Sequence, residues 1–221
     1  SGRTEAGARA AKTHTASMSG DYEVFTAVCS QAGVVFTDDI EDHYDFIKAF
    51  SLLSKRIPAG RKVPGVVNSG FEATVAGDEL INLEQAAMTE STFQKLKEVN
   101  VSGFVNIGST FVDVTPMSDD NDYAGYIEAF LQDGTVDAVF VSVIPHVAIL
   151  KTDPERARDE DSLGNHLVRL YQKYQKPMVI SVNAGSYYSE FVSLMEENGL
   201  PVYDDIRSAV RSLDVFVSYY T

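Results

Sequence analysis

The sequence predicts an α/β protein built on a doubly wound parallel sheet, and three observations carry this. From residue 62 onward, short β runs alternate with segments of helical periodicity. Val136–Ile144 is almost wholly apolar, as a strand covered on both faces must be. Several β runs end in Gly, Ser and Asn, the residues that turn a chain sharply at a strand end.

The elements follow in order. Glu5 to Lys12 is alanine-rich and predicts a short helix, and residues 13–20, small and polar, predict a loop. Asp21 or Ser19 can cap the next helix, in which Tyr22, Phe25, Val28, Cys29 and Ala32 share a face; Gly33 sits where a left-handed terminal residue belongs. Val34–Phe36 predicts a short strand, and Ile40, Tyr44, Ile47 and Phe50 mark the apolar face of another helix. This first part, residues 1–57, is a partial layer, because one strand cannot make a sheet. Lys55 to Lys62, basic and carrying Pro58 and Gly60, predicts a linker to a second domain at 62–221.

In that second domain, strands are expected at 63–67, 85–88, 104–107, 111–114, 136–144, 178–182 and 202–203. Helices are expected to start after Gly70, at Thr89, at Ser118, before Leu163, at 186 and at 205. Five or six main parallel strands with right-handed crossovers describe a flavodoxin-like domain.

Composition narrows the function. The chain has 221 residues, enough for one or two domains with real cores. No apolar run approaches the ~18 residues of a membrane span, and the start has no apolar core of a secretory signal. The single cysteine, Cys29, excludes disulfide frameworks and Cys-based metal sites and fits a reducing, cytoplasmic setting. No His pair has metal-ligand spacing, so no metal site is expected. A net charge of −14 repels phosphate backbones, so neither nucleic acid nor an anionic membrane is an expected partner. The chain begins at Ser1 without Met and is expected to be a piece of a longer protein.

Two regions could carry chemistry. Thr13–His14–Thr15–Ala16–Ser17 sets one imidazole among hydroxyls, with Arg3, Arg9 and Lys12 nearby in an otherwise acidic chain. Such a histidine can be a solvated side chain or a nucleophile. In open α/β sheets, ligands collect beyond the carboxyl ends of the strands. Asn68–Ser69–Gly70, Gly108–Ser109–Thr110, Pro145–His146 and Asn183–Ser186 are the segments expected there, with Asp113 as the best polar candidate. Turn residues at strand ends need no ligand to explain them, so both readings stay open at this point.

An ordered set of segments goes further. Ser1–Gly2–Arg3–Thr4–Glu5–Ala6–Gly7, Thr13–His14–Thr15–Ala16 and Met18–Ser19–Gly20 lead the set, followed by Gln31–Ala32–Gly33–Val34. Val67–Asn68–Ser69–Gly70, Val112–Asp113–Val114–Thr115–Pro116 and Asp137–Ala138–Val139–Phe140 come next. Lys176–Pro177–Met178–Val179–Ile180–Ser181 and Gly199–Leu200–Pro201–Val202–Tyr203 complete it. Together these resemble the ADP-forming (NDP-forming) acyl-CoA synthetases of the succinyl-CoA synthetase superfamily. The resemblance implies that residues 1–57 are the C-terminal part of the phosphohistidine-bearing ligase domain, and that 62–221 are the succinyl-CoA-synthetase-type flavodoxin-like domain after it.

The same resemblance implies the reaction acyl-CoA + ADP + phosphate = carboxylic acid + CoA + ATP. His14 would be the catalytic nucleophile, and Thr13, Thr15, Ala16 and Ser17 would hold the phosphoryl group. Asn68, Ser69, Gly70 and Asp113 would line a second-domain cleft. The chain itself would bind no cofactor; CoA, ADP or ATP with Mg, and phosphate are used by the complete enzyme. Its partners would be an upstream CoA-binding domain and an ATP-grasp domain or subunit, in an oligomer, and the fragment alone would be inactive. Ala16, Phe71 and Phe111 depart from the family's Gly, Gly and Pro. The alternative is therefore a catalytically degenerate CoA- or nucleotide-binding or regulatory module of the same fold.

Overall fold

The computed structural model describes residues 2–15, 20–37 and 39–221, and of His14 and Thr15 the backbone alone. The chain forms two compact units, Ser1–Ile40 and Glu41–Thr221.

In the first unit, α1 (Glu5–Thr15) runs three residues beyond the expected end. Thr13, His14 and Thr15 are therefore helical rather than in a loop, while Ala16 and Ser17 lie outside the described residues. The second helix, α2 (Tyr22–Gln31), is capped by Asp21, whose carboxylate accepts from the N–H groups of Glu23 and Val24. Gly33 takes the expected left-handed conformation at φ 74°. Val34–Phe36 is not a strand: among the described residues it has no β neighbour. No described residue of this unit is buried, so Cys29 is half-buried rather than in a core.

The boundary between units falls well before the basic segment at 55–62. Apart from its first residue, α3 (Ile40–Leu53) lies in the second unit, and it buries Phe46, Ala49 and Leu53. The expected apolar stripe is rotated away, with Ile40, Tyr44 and Ile47 exposed. The basic segment is an anchor, not a linker. Arg56 donates to the backbone carbonyls of Tyr171 and Tyr174, and its guanidinium lies 3.5 Å from the Tyr171 ring centroid. Both charge and stem are used, so the segment is tied to the unit it was expected to precede.

The second unit is the parallel α/β layer the sequence predicts. Its main strands are β2 (Gly65–Val67), β4 (Phe111–Asp113), β5 (Val139–Val143), β6 (Met178–Val182) and β7 (Val202–Tyr203). They pair in the order β4-β2-β5-β6-β7, all parallel. Counted along the chain this is 2-1-3-4-5, the flavodoxin order. A separate parallel pair joins β1 (Lys62–Val63) to β3 (Glu84–Gln85). The run 104–107 is irregular rather than a strand.

Helices α4 (Gly70–Asp78) and α9 (Ile206–Tyr220) pack together. Helices α5 (Glu90–Val99), α6 (Asp120–Leu131), α7 (Leu163–Lys173) and α8 (Ser189–Glu197) pack in series. Right-handed crossovers in this strand order place α4, with α9 packed on it, on one face and α6, α7 and α8 on the other, and α5 packs on α6. Every residue of β5 and β6 is buried, which explains their unbroken apolar pattern. The cap of α6 is Asp119 rather than Ser118, whose hydroxyl donates instead to Val114 O at 2.6 Å.

Asp133, after α6, fixes the start of α5. Its carboxylate accepts from the hydroxyls of Thr89, Thr92 and Thr135 and from the Thr135 N–H. Burial pushes this carboxyl up, but the hydrogen bonds from Thr92, Thr89 and Thr135 outweigh it and hold it well below the usual range. A carboxyl depressed in the fold stabilises fully above its unfolded pKa of about 3.9 and loses that contribution as pH falls towards the folded value. Urea midpoints measured across acid pH are expected to show this loss, and Asp133→Asn should flatten that part of the profile. An unchanged profile in the variant would count against the assignment.

Candidate functional site

Two places were expected to matter, one in each unit. In the first, the structure describes little of the histidine segment beyond its helical backbone. Thr13 donates its hydroxyl to Ala10 O at 2.7 Å, a bond within its own helix turn. Arg9 forms an exposed i,i+4 pair with Glu5 at 3.6 Å, worth little in solvent. At α2, Asp21 already occupies two of the N–H groups that a helix N-terminus would offer a phosphoryl oxygen.

The second place is a cleft of about 810 Å³ in the Glu41–Thr221 unit. It opens beyond the carboxyl ends of β2, β4 and β5, where successive connections leave the central strand in opposite directions. That is the topological switch point, where open α/β sheets bind ligands.

Sequence and sheet together build its floor. Asn68 follows β2 and is 5% exposed. Its amide donates to Ile144 O at 2.9 Å, and its oxygen accepts from Ile144 N at 2.8 Å. The side chain thus continues the β2–β5 pairing one residue past the strands. Ser69 is the N-cap of α4, with extended backbone and no side-chain cap bond. Gly70 opens the helix, and a Cβ there would stand 3.5 Å from Asp113 Oδ2. Asp113 ends β4, and its Oδ1 accepts from Thr115 N at 3.0 Å. Thr115 has φ 61°, a left-handed conformation that is unusual for a β-branched residue. Its Oγ1 accepts from Met117 N at 3.3 Å, which closes the turn.

The opposite wall is apolar. Ile144, Val147, Ala148 and Ile149, with His146, come from the long segment between β5 and α7. Buried Asp120 pins the far end of that segment, accepting from Leu163 N at 2.6 Å and from Lys151 N at 3.1 Å. Burial raises the Asp120 carboxyl above its usual range, and those backbone bonds pull the other way.

Asn68, Ser69, Gly70 and Asp113, the four cleft residues expected from the sequence, therefore line one cavity, and His146 joins them. Gly108–Ser109–Thr110 does not: it precedes β4 and so lies at the other end of that strand. Thr110 donates to Ala86 O at 2.7 Å and Ser109 accepts from Phe111 N at 3.1 Å. Asn183 is absent from the lining but reaches Glu72 Oε1 at 3.3 Å. Glu72 and Thr115 were not singled out as site residues. A charged residue in the first turn of a helix reads as ordinary, and a backbone dihedral leaves no mark in a sequence. Among the described residues, no three His, Cys, Asp or Glu side chains gather as a metal site would require.

Comparisons with known proteins agree with this architecture. Residues 1–50 match the family described as "Succinyl-CoA ligase like flavodoxin domain". Over 99% of its length the chain is 32% identical to acetate–CoA ligase [ADP-forming] II of Archaeoglobus fulgidus, of which it covers 31%. It is 28% identical, again over 99%, to acetate–CoA ligase [ADP-forming] I subunit alpha of Pyrococcus furiosus, covering 45% of that protein. Among solved structures it resembles Ca. Korarchaeum cryptofilum dinucleotide forming acetyl-coenzyme A synthetase 1 in complex with phosphate and ADP. The TM-score is 0.82 at 25% identity, covering 99% of this chain and 45% of that one. The chain thus spans less than half the length of these relatives.

Proposed function

We propose, for a chain homologous along nearly all its length to part of the ADP-forming acetate–CoA ligases, that it is the phosphohistidine-bearing piece of such an enzyme. The complete protein would convert an acyl-CoA, ADP and phosphate to the carboxylic acid, CoA and ATP. The observation that carries this is the similarity over 99% of the chain, which includes the Thr13–His14–Thr15 segment.

The steps conserve the phosphoryl group. Phosphate attacks the thioester carbonyl and forms an acyl phosphate as the CoA thiolate leaves. The His14 imidazole takes the phosphoryl group and releases the carboxylate. ADP then takes the group from the histidine and becomes ATP. A neutral imidazole is nucleophilic enough to attack without a strong base. Thr13, Thr15, Ala16 and Ser17 are assigned to hold the phosphoryl oxygens through hydroxyl and backbone N–H groups. The cleft of Asn68, Ser69, Gly70 and Asp113 is assigned as the ligand site of the second unit. Mg–ADP is assigned to an ATP-grasp domain or subunit and CoA to a separate CoA-binding domain. The complete enzyme is assigned as a cytoplasmic oligomer.

The test is phosphorylation of the complete enzyme by labelled ATP. An acid-labile, base-stable label is expected on the wild type, and a label that survives in His14→Ala would overturn the assignment. A second reading, a degenerate CoA- or nucleotide-binding module, is favoured by Phe71, which is 71% exposed beside Gly70. Retained CoA or nucleotide binding by calorimetry, without acyl-CoA turnover, would select it.

A further inference from the structure

Val147, Ala148, Ile149 and Leu150 are four apolar residues in succession, outside any helix or strand, and only Leu150 is fully buried. A run of this kind on a surface marks a place that something else covers. Val147 packs on the core, while Ile149 is 45% exposed and lines the second-unit cleft. From the turn after β4, Met117, 67% exposed, lines the same cavity. Both turns are tied down. The Leu150 N–H donates to Val147 O at 3.0 Å, and the buried Thr152 hydroxyl donates to Pro145 O at 2.6 Å. Across the cleft, the Ser118 hydroxyl donates to Val114 O at 2.6 Å and the Met117 N–H to Thr115 Oγ1 at 3.3 Å. The apolar side chains are thus presented to the cavity by backbone that is already fixed. Among the described residues, no Lys or Arg lines it.

We propose that Met117, Val147 and Ile149 are specificity-determining residues that seat the hydrocarbon tail of the acyl group, so that the complete enzyme prefers monocarboxylic acids with tails longer than that of acetate. This rests on the ligase reading for what the substrate is, and on the cleft for its size and shape. Each methylene moved from water onto an apolar wall gains about fourfold in binding. The gain is kept when the wall is formed in advance, because no ordering cost is set against it. A cavity of about 810 Å³ has room for a tail of several carbons. The same wall selects against a second carboxylate at the end of the tail. That charge would lie among Met117, Val147 and Ile149, with no Lys or Arg of the lining to pair with. Tail length and tail charge are thus read by the same side chains.

The test assays the complete enzyme with acetate, butyrate and succinate. Butyrate is expected to exceed acetate in kcat/KM by about tenfold, with succinate the poorest of the three. The double variant Met117→Ala, Ile149→Ala should bring the butyrate-to-acetate ratio to within about threefold. Ile149→Leu should keep the wild-type ratio, and so should Ile81→Ala, which is exposed and outside the cleft. Ile149→Lys should raise succinate relative to butyrate by about tenfold, since it supplies the missing cation. A wild type that prefers acetate, or an unchanged ratio in the double variant, would overturn the inference and leave the ligase reading standing, because the label on His14 tests that reading without any acid. A second arm needs no turnover. In the full chain, butyrate should shift the methyl NMR signals of Met117 and Ile149 saturably and at lower concentration than acetate. Shifts absent from these methyls, or equal for the two acids, would overturn the inference even where the histidine label forms.

Discussion

Replacing His14 with alanine is expected to lower ATP formation by the complete enzyme by on the order of 10³-fold or more. In the proposed reaction the group removed carries the phosphoryl between the acyl phosphate and ADP, and no second imidazole stands near it in sequence to take over. His43, His146 and His166 all lie in the other compact unit. The loss should appear in kcat rather than KM, because the intermediate is lost and the substrate sites are kept. His14 lies in α1, and among the described residues the buried core contains none from that helix. The thermal midpoint of the Glu41–Thr221 unit should therefore hold in the variant. Coupled-assay rates within tenfold of wild type would remove His14 from the reaction path.

A large stability effect is expected at Gly65, in the interior strand β2. Phe111 and Phe140 are its register partners on either side, and their rings meet edge to face with centroids 5.1 Å apart. A Cβ at Gly65 would stand 2.0 Å from Phe140 Cζ. The ring therefore occupies the space above the glycine, and Gly65→Ala must displace it within a packed core. About 3 kcal/mol of destabilisation is expected, at the upper end for overpacking. Phe140→Ala should cost about 3–5 kcal/mol, since it empties the same space. The double variant should cost clearly less than the sum, because alanine at 65 no longer meets a ring. Urea denaturation read by near-UV circular dichroism measures all three. A Gly65→Ala midpoint equal to wild type, or strict additivity, would show that the ring moves aside freely.

Both cases bear on what can be read before a structure exists. Gly65 gives no signal of its own, because its requirement comes from Phe140, 75 residues away in sequence. The second unit's helices and main strands were legible because burial on one or both faces imposes a period on each element. Where burial is absent, the period misleads. Ile40, Tyr44 and Ile47 make a good helical stripe and are exposed, while Phe46, Ala49 and Leu53 supply the buried face. Val34–Phe36 has strand composition, but a strand exists only through a partner, and among the described residues there is none. The Lys55–Lys62 segment reads as a linker by composition, yet Arg56 is fastened to two backbone carbonyls of α7 and its end.

The sequence by itself determined the α/β alternation and the doubly buried character of β5 and β6, and both follow from local chemistry, an apolar period along each element. Small polar residues at strand ends marked Asn68–Ser69–Gly70 and Gly108–Ser109–Thr110 alike, and only the first set lines the cleft. Only the tertiary structure decided the strand order, the division between Ile40 and Glu41, the left-handed Thr115 and the placement of Asp113 against Gly70. These depend on which distant segments become neighbours, and a residue's own period says which face is buried but not what it is buried against.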